Sequence, residues 1–144
     1  LEAVAASPGP RLTLGSWHGD WAPWNMAQSG GRVLVWDWEG FRTGVPVGFD
    51  ACHHAVSDQV TFRGATPTQA FRALFDGGEA VLGPMGVEAD ARPWTALLYA
   101  IELATSYVEN GEADVAGTVL SRLDDWLDET LRAGRSAIEQ RVGS

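Results

Sequence analysis

At 144 residues, 45% hydrophobic and 20% charged, the chain is long enough to bury one real core and too apolar for a disordered segment. A net charge of −9 argues against a nucleic-acid backbone as partner, which calls for a basic stripe, and no apolar run approaches the ~20 residues of a membrane span. The single cysteine, Cys52, leaves no internal disulfide to form, and no basic-then-apolar leader opens the sequence, so the reducing cytoplasm is the expected setting. All ten basic residues are arginine; lysine is absent. The sequence opens on Leu1 rather than Met, so an upstream part is expected to have been removed or left out.

In chain order, residues 1–10 carry Ser7, Pro8, Gly9 and Pro10 and read as an irregular lead-in. Arg11 to Trp17 alternates roughly and reads as a short strand running into His18. Asn25 to Gln28, Ser29-Gly30-Gly31 and Arg32 to Trp36 fit strand, turn and strand, the glycines supplying the positive φ of a tight hairpin. Gly40 to Pro46 reads as loop. From Val47 the period becomes helical. Phe49, Cys52, Ala55, Val56 and Val60 share a face of a helix expected to end near Gly64. Thr66-Pro67 opens a second helix, with threonine as cap and proline at the first helical position, and Gly77-Gly78 breaks it. Gly83 to Gly86 reads as loop. A long helix follows from Arg92 or Pro93 to about Asn110, with Leu97, Leu98, Ile101, Ala104, Thr105 and Val108 as its stripe. Another runs from Ala113 to about Ala133 on Val115, Val119, Leu120, Leu123, Leu127 and Leu131, and residues 134–144 are polar and expected to fray. The fold class is α+β and mostly helical: one domain over 1–144, a short β-region followed by about four helices over 47–133.

The chemistry concentrates in residues 18–39, HGDWAPWNMAQSGGRVLVWDWE. Asp20 lies in a loop after a strand, where its side chain can point at a substrate. Asn25 offers a neutral amide oxygen, a fair hard ligand for Mg²⁺. Asp37 follows the second hairpin strand and stands between two tryptophans, where burial would be costly unless it bound something. Glu39 could face the same way and support the metal site from outside its ligands. His18 and Asp20 could instead serve a metallohydrolase, but further ligands are wanting, because His53 and His54 are adjacent on a helix and diverge by about 100°. Such a pair is more often one core contact and one surface residue. Trp21, Trp24, Trp36 and Trp38 cluster around the motif, either to stack on a sugar or a cation or, the more ordinary role, to pack in a core or a lobe interface.

His18-Gly19-Asp20 followed by Asn25 resembles the H-G-D-x-x-x-x-N signature of the aminoglycoside phosphotransferase and choline kinase-like family. Trp36-Asp37-Trp38-Glu39 after a hairpin is similar to that family's second aspartate motif, the counterpart of the protein-kinase DFG. Gly44-x-Pro46 followed by Phe49-Asp50 resembles the start of its first large helix. The likeness covers about residues 12–60. It implies the C-terminal lobe of a protein-kinase-like fold and an ATP-dependent (or GTP-dependent) transfer of phosphate to a hydroxyl of a small molecule, such as an aminoglycoside, a sugar or an amino alcohol. In that frame the catalytic loop is 18–25 and the metal motif 36–39. Asp20 is the base, Asn25 and Asp37 hold Mg²⁺, His18 ties the loop to neighbouring backbone, and Asp50 hydrogen-bonds the loop from the first large helix.

Such a family also has an N-terminal lobe with a phosphate-covering loop and a lysine for the phosphates. Here neither a glycine-rich loop between strands nor any lysine occurs, and arginine is a poor stand-in. The chain is therefore expected to lack the nucleotide-clamping lobe, to bind nucleotide weakly alone, and to self-associate through the apolar face that lobe would cover. A non-catalytic kinase-like module for binding or regulation is the alternative function.

Overall fold

The computed structural model describes residues 9–122 and 125–132. Two small antiparallel sheets precede a mostly helical body. Strand β1 (Leu14–Trp17) pairs with β4 (Arg42–Pro46), and β2 (Met26–Ser29) forms a hairpin with β3 (Arg32–Val35) across Gly30-Gly31, as the turn chemistry leads one to expect. Short 3₁₀ turns at Pro23–Asn25 and Trp38–Gly40 flank that hairpin. The body comprises α1 (Phe49–Arg63), α2 (Pro67–Asp76), α3 (Gly78–Leu82), α4 (Arg92–Glu109), α5 (Ala113–Leu120) and a helical segment α6 at 125–132.

The segment 40–46, expected as loop, is in large part strand β4. Gly15 pairs with Val45 and Ser16 with Thr43, so Gly44 is the extra residue of a β-bulge, held at φ 77°. A glycine that reads as loop punctuation is the point where one ladder slips by a residue. The Val47 N–H donates to the Thr13 carbonyl at 2.9 Å, which carries the pairing on toward α1.

Helix limits follow the local signals. Thr66 and Gln69 form a capping box at α2, with the Gln69 N–H donating to Thr66 Oγ1 (3.3 Å) and the Thr66 N–H to Gln69 Oε1 (2.9 Å). Gly64 closes α1. The inward faces differ from the sequence stripes. On α1 the buried residues are Phe49, Cys52, His53 and Val56, while Val60 is exposed, because the last turn runs past the core's edge. On α4 the first three turns pass among α1, α2, α3 and α5 and bury Trp94, Thr95, Ala96, Leu97, Tyr99 and Ala100, more than one stripe, while Thr105 and Val108 are exposed. The helix expected over 113–133 divides, α5 closing at Ser121 and the described part of α6 covering 125–132. Ala116, Val119, Trp126 and Thr130 face inward there, and Leu127 is half-buried. The expectations for residues 1–8, Leu123, residues 133–144 and the side chains of Val115 and Leu120 lie outside the described residues.

An aromatic chain organises the core. Trp17 meets Phe49 edge-on at 5.5 Å between ring centres, Phe49 meets Tyr99 at 5.8 Å, and Phe71 bridges Tyr99 (6.0 Å) and Trp126 (5.5 Å). One packed path thus runs from the strand that precedes His18 to the last described helix. Large apolar side chains remain exposed on and beside the hairpin, Trp24, Val33, Leu34, Trp36 and Trp38, and at Leu14 of β1, each roughly half or more exposed. Among the described residues no helix is long and apolar enough to cross a membrane.

The capping box gives a direct test of this local reading. Thr66→Ala should cost about 1 kcal/mol in denaturant unfolding and Thr66→Ser far less. Equal stability of all three would show that α2 needs no cap.

Candidate active site

The loop after β1 is pinned by its own histidine. His18 is buried, and the Asp20 N–H donates to His18 Nδ1 at 3.2 Å. With Nδ1 accepting, the ring proton lies on Nε2, which donates to the Trp36 carbonyl at 2.9 Å. His18 therefore bridges the loop after β1 and the segment that carries Asp37. Its own backbone N–H donates to both oxygens of Asp50 at 3.0 Å, so the first turn of α1 holds the same point. Burial pushes the Asp50 carboxyl above its ordinary value, and the N–H groups of His18 and Gly19 pull it back.

Gly19 shows why only glycine serves between His18 and Asp20. Its φ is +95°, and a Cβ there would stand 2.3 Å from the Gly40 carbonyl oxygen. Gly40 approaches in turn to within 3.2 Å of the Gly19 Cα, measured from an added Cβ. Two backbones thus touch where any side chain would part them. Asp37 is the single non-glycine residue at positive φ among the described residues, at φ 65° and ψ 58°. Aspartate tolerates that left-handed conformation better than most residues, and such an outlier at a cleft invites a functional reading.

These contacts bring Asp20, Asp37 and Glu39 to one cleft of about 580 Å³, walled on its far side by Ser57 of α1 and by Ser106 and Tyr107 of α4. Asp37 is exposed, so the cost of burying an aspartate between two tryptophans does not arise. The neighbouring rings turn outward instead. Trp24, Trp36 and Trp38 are exposed and Trp21 half-buried, so of the expected core or lobe-interface packing the core is ruled out for the first three. Trp38 tilts over His18 at 4.6 Å and Trp21 meets it edge-on at 5.9 Å.

Asn25 stands behind Asp20 and is buried. Its amide Nδ2 donates to Asp20 Oδ2 at 2.7 Å and to the Asp20 carbonyl at 3.1 Å, leaving the amide oxygen as the atom that could ligate a cation. The other Asp20 oxygen, Oδ1, lies 2.9 Å from His53 Nε2. Tyr99 places its hydroxyl 3.0 Å from His53 Nδ1. Burial lowers the His53 pKa against the pull of the Asp20 carboxylate, so the contact is a hydrogen bond from a neutral ring rather than an ion pair. Sequence reasoning missed His53 because it weighed the residue with His54 as a chelating pair. The available signal was its spacing from Asp50: three residues along a helix share a face, so a helix that aims Asp50 at the loop aims His53 there too. His54 is half-buried and lines a separate apolar cavity with Trp21, Ala55, Val81 and Met85.

The cleft is acidic. Asp20, Asp37, Glu39 and Glu109 line it against one guanidinium, Arg42, which is paired with Glu102 and lies over the Trp17 ring. Among the described residues no three His, Cys, Asp or Glu side chains come together as an all-protein cation cage would need. Asn25 and Asp37, expected together as Mg²⁺ ligands, are not brought to one wall here: Asp37 lines the cleft, while Asn25 is buried and does not. Cys52 is buried with its thiol pushed up to about 12, so it offers no nucleophile. No protein-family model matches the sequence, and neither a curated protein nor a solved structure matches it.

Gly19→Ala combines a disfavoured φ with a clash against the Gly40 backbone and should cost about 2–3 kcal/mol in urea unfolding. A loss under about 0.5 kcal/mol would show that the two loops are not locked there. For His53, whose folded pKa is lowered, the unfolded chain binds more protons near the ordinary imidazole value. Its contribution to stability is thus present above about pH 6.5 and is lost as pH falls toward the folded pKa. Thermal melts from pH 8 down to pH 5 should show wild type losing stability relative to His53→Gln on acidification. Parallel curves would place the His53 ring in solvent.

Proposed function

We propose that this chain is the catalytic, metal-holding half of a phosphotransferase that uses ATP (or GTP) as donor and acts on a hydroxyl of a small molecule. In fold terms it would be the C-terminal lobe of a protein-kinase-like enzyme of the aminoglycoside phosphotransferase type. One observation supports this reading above the others. A carboxylate held by donors on both oxygens, Asp20, shares a cleft with Asp37 and Glu39, and the two loops that carry them are locked together at Gly19 and Gly40.

The chemistry follows from that arrangement. Phosphoryl transfer asks little covalent work of a protein; it needs positioning, charge neutralisation and a group to orient the attacking hydroxyl. Asp20 accepts the hydroxyl proton as the oxygen attacks the γ-phosphorus, and the nucleoside diphosphate departs with the electrons of the broken bond. A cleft with four carboxylates and one already paired guanidinium repels a bare polyphosphate. A Mg²⁺ held by the Asn25 amide oxygen and Asp37 would supply the missing positive charge. Glu39 would support that ion from outside its ligands, and Glu109 adds to the acidic lining of the cleft. His18 and Asp50 act on backbone alone and keep the loop in shape.

The exposed apolar face around the hairpin is the natural seat of a second, nucleotide-clamping lobe, and without that partner it favours self-association. A cytoplasmic setting suits a nucleotide-dependent enzyme. The absence of lysine favours a second reading, a non-catalytic kinase-like module that binds without turnover.

The two readings separate in the full-length protein, assayed with Mg²⁺ and γ-labelled ATP against a panel of aminoglycosides, sugars and amino alcohols. Asp20→Asn should lower kcat by about 10²–10⁴ with little change in KM for ATP, the range expected for a lost general base. Turnover undiminished by the substitution would refute Asp20 as base, and binding without transfer in wild type would favour the non-catalytic module.

A further inference from the structure

Resting on the reading of Asp20 as base, we propose that His53 is a positioning residue for that base, with Tyr99 fixing which imidazole nitrogen carries the proton. The contact spans 33 residues of sequence and joins α1 to the catalytic loop at 2.9 Å. The side chain of His53 is only 11% exposed, whereas that of Asp20 is 43% exposed. One partner is thus sealed into the protein body, while the other reaches the cleft.

Two neighbours dictate the tautomer. A carboxylate is acceptor-only, so the nitrogen that faces Asp20 Oδ1 must carry hydrogen. On the other side Tyr99 is wholly buried, and burial holds its phenol well above the ordinary value, so it keeps its proton. That O–H finds an acceptor in His53 Nδ1 at 3.0 Å only if Nδ1 is bare. The two requirements agree on a neutral ring protonated at Nε2. Both ring nitrogens are then engaged, so His53 takes no proton from a substrate itself.

The consequence is orientational. Asp20 Oδ1 is held from α1 by His53 and Oδ2 from the 3₁₀ turn by Asn25, which fixes the plane of the carboxylate. Each oxygen has lone pairs beyond the one so used, so the base stays available to a hydroxyl in the cleft. Tyr99 is edge-on to Phe49 and tilted against Phe71, which ties the orientation to the aromatic core. Asp50 and His53, one turn apart on α1, divide the work: the first holds the loop's backbone and the second its reactive side chain.

In the full-length protein, His53→Leu should lower kcat about 10²-fold with KM for ATP unchanged, the scale of a misplaced catalytic group. His53→Gln, whose amide N–H₂ reaches the position of Nε2, should recover most of that loss. A purely structural histidine would show no such rescue, and a wild-type kcat in His53→Leu overturns the proposal. A second measurement is independent of turnover. Long-range ¹H–¹⁵N spectra of the 144-residue chain near neutral pH should show His53 protonated at Nε2 with Nδ1 an acceptor, and Nδ1 should lose that hydrogen-bond shift in Tyr99→Phe. An Nδ1–H tautomer overturns the positioning role. A wild type that transfers no phosphate would sink the phosphotransferase reading and the role with it, while the spectra still report the contact alone.

Discussion

The bridge from Asp20 N–H through the His18 ring to the Trp36 carbonyl is the constraint on which the rest of the cleft depends. It makes one neutral, buried imidazole serve two segments that are separated by a whole hairpin. Gly19 and Gly40 allow the backbones to close until they touch, and Asp50 fastens the same spot to the first helix. Remove any of these and Asp20 and Asp37 have no reason to share a cleft. Each lies on irregular backbone, Asp20 in a loop and Asp37 in a left-handed conformation. The rigidity that regular structure would give is supplied by hydrogen bonds, some between irregular segments through His18 and some from Asp50 and His53 on α1.

Asp20 repeats that logic at the level of one side chain. It is partly exposed, and an exposed carboxylate left to itself samples several rotamers. Here His53 and Asn25 each take one oxygen, and Tyr99 backs His53 from the core. Packing energy in the helical body is thereby converted into orientation at the cleft. The acidity of the cleft follows a separate principle: clustered carboxylates with one occupied arginine are unfavourable until a cation arrives. Order in the site is built into the fold, while its charge is left unbalanced by the protein's own side chains.

Much of this was legible in the residues. The hairpin at Gly30-Gly31, the cap at Thr66 and the stop at Gly64 follow from turn and helix chemistry that acts within a few residues. What was not legible depends on contacts distant in sequence. Gly44 reads as loop because a bulge is visible only once β1 is known to lie opposite. Thr105 and Val108 keep helical spacing with Leu97 and Leu98, yet the end of α4 leaves the core, which only the placement of α1, α2 and α5 decides. The tryptophans around the motif carried two readings, and their exposure removes the core for three of them. His53 was hidden by its neighbour: a histidine pair suggests metal, whereas the informative spacing was to Asp50. Within the candidate site, residue types pointed to the carboxylates and the amide, the family resemblance pointed to His18 and Asp50 as ties of the loop, and tertiary structure alone disclosed His53 and Tyr99.

In the proposed phosphotransferase, the loop at Asn25 and the segment at Asp37 would jointly serve one divalent cation beside a nucleotide. Paramagnetic broadening tests it most directly, with Mn²⁺ in place of Mg²⁺ and a nucleoside triphosphate added to the full-length protein. The account predicts loss of signal centred on the Asn25 side-chain amide and the backbone of residues 36–39, abolished by Asp37→Ala. Broadening centred elsewhere, or unchanged by that substitution, would contradict it.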